Sequence, residues 1–296
     1  MFTGTYTAIV TPFKNGRIDQ SAFERLIKIQ IRAGVDGIVP VGTTGESPTV
    51  NYEEHVEIIA LSVKFAAGKI KVLAGTGGNS TTEAVYLTQH AEKVGADGSL
   101  QVAPYYNKPT QEGLFQHFKE VARCTRLPLM LYSIPGRCGI EIGVDTVKRL
   151  AQGCKTIIGI KEAGGSCDRV SQLRAELGPR FVIMSGDDSL TLPFMAVGAQ
   201  GVVSVASNVI PRQVAQMVKA FAFGRTKAAL KLHEKYYPLF KDLFIESNPG
   251  PVKAALAMMG QIEEEYRLPL VKMGTKNRER LRQTMRVCDL HVKRET

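Results

Sequence analysis

Lys161 closes the run Ile157-Ile158-Gly159-Ile160 and is followed by Glu162. A lysine carried into apolar surroundings loses the hydration that stabilises its ammonium. An amine held partly neutral in this way attacks a ketone and forms an imine. The plainer reading is a solvated or ion-paired lysine at a strand end. Tyr132 stands in a second apolar run, residues 128–133. A phenol level with that amine can pass a proton to and from it; taken alone it is a core tyrosine with its hydroxyl at the rim. Thr43 and Thr44 lie between Gly42 and Gly45. Their hydroxyls can extend a proton relay, hold a carboxylate, or bond locally within the turn. Arg137, after Pro135-Gly136, offers a guanidinium on a stiff loop, suited to a substrate carboxylate or to a surface ion pair. Gly186 permits close backbone approach, and Asp187 and Asp188 read as caps of the next helix.

For these groups to meet, the chain must bring them to one end of one sheet. Eight short β-rich runs are present, at 6–10, 37–41, 71–74, 99–103, 128–133, 157–161, 181–185 and 201–205. Helical patterns separate them, as at 21–33, where Phe23, Leu26, Ile27 and Ile31 recur at helical spacing. Asn51 before Tyr52-Glu53-Glu54 and Ser80 before Thr81-Thr82-Glu83 are helix starts. Gly34-Val35, Gly95-Ala96 and Gly198-Ala199 are helix stops ahead of strands. Alternation of strand and helix predicts parallel pairing. Eight such units predict a closed α/β (β/α)8 TIM barrel, with function at the C-terminal ends of its strands. Those ends carry 42–47, Pro104-Tyr105-Tyr106-Asn107, 132–137, Lys161-Glu162 and Ser185-Gly186-Asp187-Asp188. A doubly wound sheet would want a phosphate-binding glycine loop. Residues 11–16 are not one, and Gly75-Thr76-Gly77-Gly78-Asn79-Ser80 lacks the spacing, so it reads as a tight turn. Beyond 205, segments 211–223, 227–244 and 251–259 read as helices. The expected division is a catalytic barrel over 1–224 and a C-terminal helical domain over 225–296.

A chain of 296 residues, 44% hydrophobic, can bury a full core. No basic leader precedes an apolar run, and no apolar stretch approaches the ~18 residues of a membrane span, so a cytoplasmic protein without a membrane partner is expected. The five cysteines, Cys124, Cys138, Cys154, Cys167 and Cys288, form no C-x-x-C pair and read as reduced structural thiols, with no metal site. The net charge of +10 gathers in the tail at Lys276, Arg278, Arg280, Arg282, Arg286, Lys293 and Arg294. Glu279 and Asp289 interrupt that run, which fits a solvated helix face better than a nucleic-acid surface. A basic surface also favours small anionic substrates.

Several of these stretches, taken in order, are shared with a known family. Gly4-Thr5-Tyr6-Thr7-Ala8, Thr11-Pro12-Phe13, 42–47, 104–107, 132–137, 159–162, 185–188 and 248–253 resemble the dihydrodipicolinate synthase family, within the larger N-acetylneuraminate lyase group of pyruvate aldolases. The resemblance spans nearly the whole chain. It implies a class I aldolase-type lyase of diaminopimelate and lysine biosynthesis, condensing pyruvate with L-aspartate 4-semialdehyde. Lys161 would form the imine with pyruvate, without metal or organic cofactor. Tyr132, Thr44 and Tyr106 would be the proton relay, Tyr106 reaching into a neighbouring subunit's site. Thr43 and Thr44 would bind the pyruvate carboxylate, Arg137 that of the semialdehyde, and Gly186 and Val203 would line the site. A homotetramer built as a dimer of tight dimers is implied. So is feedback by L-lysine at Ser47, His55, Asn79, Glu83 and Tyr105, although Glu83 reads equally well as part of a helix cap. Tyr52 and Pro48 depart from lysine-sensitive members there. Ser133, Cys138 and Ala103 replace the usual asparagine and threonines without removing a proposed catalytic group. The alternative is another member of the group, a sialic-acid lyase or a keto-deoxy-sugar-acid aldolase or dehydratase. Arg137 and the threonine pair favour a second substrate that carries its own carboxylate.

Overall fold

The computed structural model describes residues 2–293. Eight parallel strands close into one barrel: β1 (Gly4–Ala8), β4 (Gly37–Val39), β5 (Lys71–Gly75), β6 (Gly98–Val102), β7 (Leu129–Ser133), β8 (Ile157–Glu162), β9 (Val182–Ser185) and β10 (Gly201–Ser204), with β10 returning to pair with β1. The fold class expected from the alternation is therefore the one observed, and each of the eight runs is a strand, with ends moved by a residue or two. One further element precedes the first helix. Phe13–Lys14 (β2) and Arg17–Ile18 (β3) form an antiparallel hairpin. Its turn is Asn15-Gly16, both at positive φ (52° and 76°), the dipeptide that a two-residue reverse turn demands.

The barrel interior is filled by Tyr6, Val39, Leu73, Leu100, Met130, Tyr132, Met184 and Val203, among others. Side chains alternate across a strand, so facing depends on register. Between β7 and β8 the register shifts at Leu129/Met130, after which Met130 pairs with Gly159, Tyr132 with Lys161 and Ser133 with Glu162. Lys161 thereby shares the inner face with Tyr132. Glu162 takes the outer face, where its carboxylate meets Arg169 at 2.8 Å.

The first helix, α1 (Gln20–Ala33), shows how the outer layer is built. Asp19 accepts from Ala22 N at 2.9 Å, Phe23, Leu26 and Ile27 face inward, and Gly34 at φ 77° ends the helix. Each fully buried side chain of that size contributes about 1.5–3 kcal/mol. Helix α2 (Tyr52–Ala66) opens with a reciprocal capping box between Asn51 and Glu54; α3 (Thr81–Lys93) opens on Ser80. The layer continues with α4 (Gln111–Arg123), the one-turn α5 (Pro135–Cys138), α6 (Val144–Gly153), α7 (Cys167–Leu177), α8 (Thr191–Ala196) and α9 (Pro211–Ala222).

Three more helices follow, α10 (Thr226–Asp242), α11 (Gly250–Met258) and α12 (Thr275–Val287). Their buried residues Leu239, Phe240, Val252, Leu256, Leu281 and Met285 belong to the same apolar cluster as Phe23, Leu26 and Val214 of the outer barrel layer. The basic tail lies largely on α12, and much of its charge is paired: Arg278 with Glu264 at 2.6 Å, Arg280 with Asp242 at 2.8 Å and Arg282 with Glu279 at 3.4 Å. Arg294 lies outside the described residues. All five cysteines are free. No helix among the described residues is long and apolar enough to cross a membrane.

Candidate active site

At the C-terminal end of β8 the Lys161 amine lies 4.0 Å from the ring centroid of Tyr132, its register partner on β7. Both side chains are buried, Lys161 to 6% exposure. Burial pulls the Lys161 amine down to about 7; the Asp188 carboxylate opposes that fall and the Arg137 guanidinium adds to it. Burial also drives the Tyr132 phenol well above its ordinary range, so it stays protonated; Arg137 and a hydrogen bond with Thr43 act the other way. A neutral amine beside a protonated phenol is a nucleophile with a proton donor at hand. The space around the amine is set by Gly186, where a Cβ would fall 2.6 Å from Ala163 Cβ and 3.0 Å from Lys161 Cε. A side chain there would clash with Ala163 and crowd the lysine. Val203 faces the same interior, packed in one cluster with Tyr132.

The two aspartates after Gly186 have different roles. Asp187 Oδ1 accepts from Ser189 N at 2.7 Å and Leu190 N at 3.2 Å, closing a turn ahead of α8, but the N-cap of that helix is Leu190 and no side chain caps it, so Asp187 is not its cap. Asp188 is not either. That carboxylate is buried and accepts from Val205 N at 3.0 Å, Ala206 N at 2.9 Å and the Ser204 hydroxyl, bridging β9 to the loop after β10. Burial raises it to about 6, with Ser204 and the two amides pulling the other way. It is the acidic group that acts on Lys161.

The threonine pair separates in space, and this corrects the assignment of Thr44 to the relay. Thr43 hydrogen-bonds the Tyr132 phenol and lines the cavity at the barrel mouth. Thr44 is buried, and its hydroxyl meets a different partner from the phenol: its Oγ1 accepts from Asn248 Nδ2 at 2.9 Å. The loop is a tight run of turns, with Gly45 N and Ser47 N donating to the Gly42 carbonyl and Glu46 N to that of Thr43, and it sends the two hydroxyls to different partners, so only Thr43 meets the phenol. The loop itself is held by Glu46, at φ 57°, whose buried carboxylate pairs with the equally buried Lys253 of α11. Lys253 Nζ also sits 4.5 Å from the Phe13 ring centroid.

A cavity of about 200 Å³ opens here, lined by Thr43, Ser47, Tyr105, Tyr132, Arg137 and Cys138 among others. Arg137 is carried by the single turn α5, and its Nη2 donates to the Asn248 carbonyl at 3.3 Å. Tyr106 does not reach this cavity in its own chain; it is 90% exposed, with φ at 74°. A second hollow adjoins the first. Ser47, His55, Glu83 and Tyr105 line it with Tyr52, and Ser47, Pro48, Gly77 and Tyr105 are common to both. Burial raises the Tyr105 phenol, and the Glu83 carboxylate adds to the rise. Asn79 is beside this hollow rather than in its wall, donating from Nδ2 to the Tyr105 carbonyl at 3.2 Å. Ser80 accepts from Glu83 N at 3.5 Å, so the Glu83 backbone serves the cap, while its carboxylate faces the hollow and accepts from the Tyr52 phenol.

Asn248, Lys253 and Asp188 carry structural weight at the site that residue types alone did not reveal. Asn248 and Lys253 stand in the 248–253 motif, more than eighty residues from Lys161 in sequence, and no spacing rule links them to it.

Known proteins resemble the chain over nearly its whole length. The model of the dihydrodipicolinate synthetase family matches residues 1–287. The 4-hydroxy-tetrahydrodipicolinate synthase of Aquifex aeolicus is 50% identical over 99% of this chain and 100% of its own. The solved structure of the 4-hydroxy-tetrahydrodipicolinate synthase from the methanotroph Methylacidiphilum fumariolicum SolV superposes with a TM-score of 0.97 at 57% identity, covering 98% of this chain and 96% of that one. A dihydrodipicolinate synthase from Cyanidioschyzon merolae, solved with lysine bound, superposes at 0.95 with 41% identity, covering 98% and 99%.

Proposed function

The chain belongs to the dihydrodipicolinate synthetase family, and we propose that it is the lyase that condenses pyruvate with L-aspartate 4-semialdehyde in diaminopimelate and lysine biosynthesis. The observation that carries the mechanism is the buried amine of Lys161, held near 7 against the protonated Tyr132 phenol. The neutral amine adds to the C2 carbonyl of pyruvate. Tyr132 gives its proton to the developing alkoxide and, with Thr43, takes up the proton that the nitrogen sheds. Loss of water leaves the imine. That imine is the electron sink that takes up the electron pair of the methyl C–H bond as the proton leaves through the Tyr132–Thr43 relay, so no metal or organic cofactor has a step to perform. The resulting enamine carbon attacks the aldehyde carbon. The amino group of the second substrate then adds to the imine carbon, closes the ring and expels Lys161 as the free amine.

Arg137 holds the carboxylate of the semialdehyde at the cavity mouth, and the loop that bears Thr43 and Thr44 receives that of pyruvate. Tyr106 completes the relay in a neighbouring protomer, which its exposure and left-handed backbone suit; the assembly is a cytoplasmic homotetramer, a dimer of dimers. The hollow with Glu83 takes L-lysine as feedback inhibitor, its ammonium against the carboxylate, as the lysine-bound relative suggests. The deciding experiment couples turnover of pyruvate and the semialdehyde to reductive trapping of the pyruvate adduct. Adduct on the peptide bearing position 161, absent in Lys161→Ala with turnover lost, is the expected result. An adduct confined to another lysine would sink the mechanism.

A further inference from the structure

The segment joining α10 to α11 lies outside the eight strands and supplies none of the reacting groups, yet one of its residues touches both sides of the site. Asn248 is buried; its Nδ2 donates to Thr44 Oγ1 at 2.9 Å, and its carbonyl accepts from Arg137 Nη2 at 3.3 Å. We propose that Asn248 is a positioning residue for carboxylate recognition, acting on pyruvate through Thr44. This rests on the activity given above. A threonine hydroxyl has one proton to give and a lone pair to accept with. With the amide of Asn248 occupying the acceptor side, the Thr44 proton is directed elsewhere and the 43–44 loop is held against the cavity wall. The amide does this at a cost, because its own Oδ1 is buried without a partner among the described residues. A buried orphan acceptor is unfavourable, so the side chain is oriented by Thr44 and not by its own full satisfaction. The ion pair of Glu46 with Lys253 pins the same loop to α11 two residues further on. The C-terminal segment thus grips the loop at two points.

The test measures how trapping of pyruvate on Lys161 depends on pyruvate concentration, together with kcat, in Asn248→Ala, Asn248→Asp, Thr44→Val and the double variant Thr44→Val/Asn248→Ala. Asn248→Ala should raise half-saturating pyruvate about 10- to 100-fold, in keeping with a displaced binding group, while kcat at saturation falls less. The double variant should be no worse than Thr44→Val alone, because both remove one interaction. Asn248→Asp has the same shape but no donor, so it should behave as Asn248→Ala. Multiplying effects in the double variant, unchanged pyruvate dependence in Asn248→Ala, or full activity in Asn248→Asp would each overturn the assignment; the last would mean that an acceptor faces Thr44. If Asn248→Ala does not fold, the near-isosteric Asn248→Asp decides alone. Failure of wild-type trapping at Lys161 would instead strike the mechanism itself.

Discussion

Raising the pH through neutrality should switch on pyruvate capture. Burial brings the Lys161 amine from 10.5 down to about 7. An amine with that value is neutral in about one molecule in ten at pH 6 and in about nine in ten at pH 8. An unperturbed lysine at pH 7 would be neutral in roughly one molecule in 3,000, so burial enriches the nucleophile by roughly three orders of magnitude. The assay is the initial rate of adduct trapping with cyanoborohydride at sub-saturating pyruvate, between pH 5 and 9, read as modified peptide by mass. The rate should climb about tenfold between pH 6 and 8 and then level, with its midpoint near 7. Arg137→Met supplies the control on cause. Removing a cation favours the remaining ammonium, so the Lys161 pKa rises and the midpoint moves to higher pH. A wild-type rate still climbing tenfold per pH unit at pH 9 would show an ordinary, solvated lysine and refute the burial argument. A midpoint that moves down in Arg137→Met would refute the electrostatic half of it.

Three further outcomes are expected. Gly186→Ala sets a methyl within 3.0 Å of Lys161 Cε, and the trapping rate should fall on the order of 10- to 100-fold; an unchanged rate would mean that the lysine does not use that space. Glu46→Ala strands the Lys253 ammonium, which is pushed below its ordinary range by burial and supported by Glu46. Urea unfolding should then show a loss of about 3–5 kcal/mol, most of it recovered when Glu46→Leu is combined with Lys253→Met. Glu83→Gln removes the carboxylate from the second hollow, and calorimetry with L-lysine should show binding weakened at least about tenfold if Glu83 pairs with the ligand's ammonium; undiminished binding would place the effector elsewhere.

The barrel was legible because its signal is periodic and local. Eight runs with β-rich composition, each followed by a helical pattern, need no long-range information. The Asn15-Gly16 hairpin was equally local, and was missed because the stretch was weighed only as a phosphate loop. Lys161, Tyr132 and Arg137 could be singled out because a strand end gives each its place. What pattern could not give was facing. Thr43 and Thr44 are neighbours of the same type, and only the fold of the 42–47 loop decides that the first meets Tyr132 while the second meets Asn248. Asp188 was read as a helix cap because caps are local, whereas its partners lie sixteen to eighteen residues on, across a strand boundary.

The loop after β4 shows why a barrel of this kind carries extra helices. Val41 and Glu46 take φ values of 50° and 57°, conformations that cost a residue with a side chain about 1–3 kcal/mol each and persist only when the surroundings over-determine them. Gly75 makes room on one side, since a Cβ there would fall 2.5 Å from the Val41 carbonyl oxygen. The other side belongs to the C-terminal segment: Lys253 on the Glu46 carboxylate, Asn248 on Thr44, and Arg267, whose guanidinium donates to the Thr49 carbonyl at 3.1 Å while pairing with Glu54 at the start of α2. These contacts reach the strained loop from more than two hundred residues along the chain. The threonine that meets Tyr132 is therefore positioned jointly by the barrel and by the helices packed against it, and a barrel cut off after α9 would keep Lys161 and Tyr132 but lose the restraints that aim Thr43.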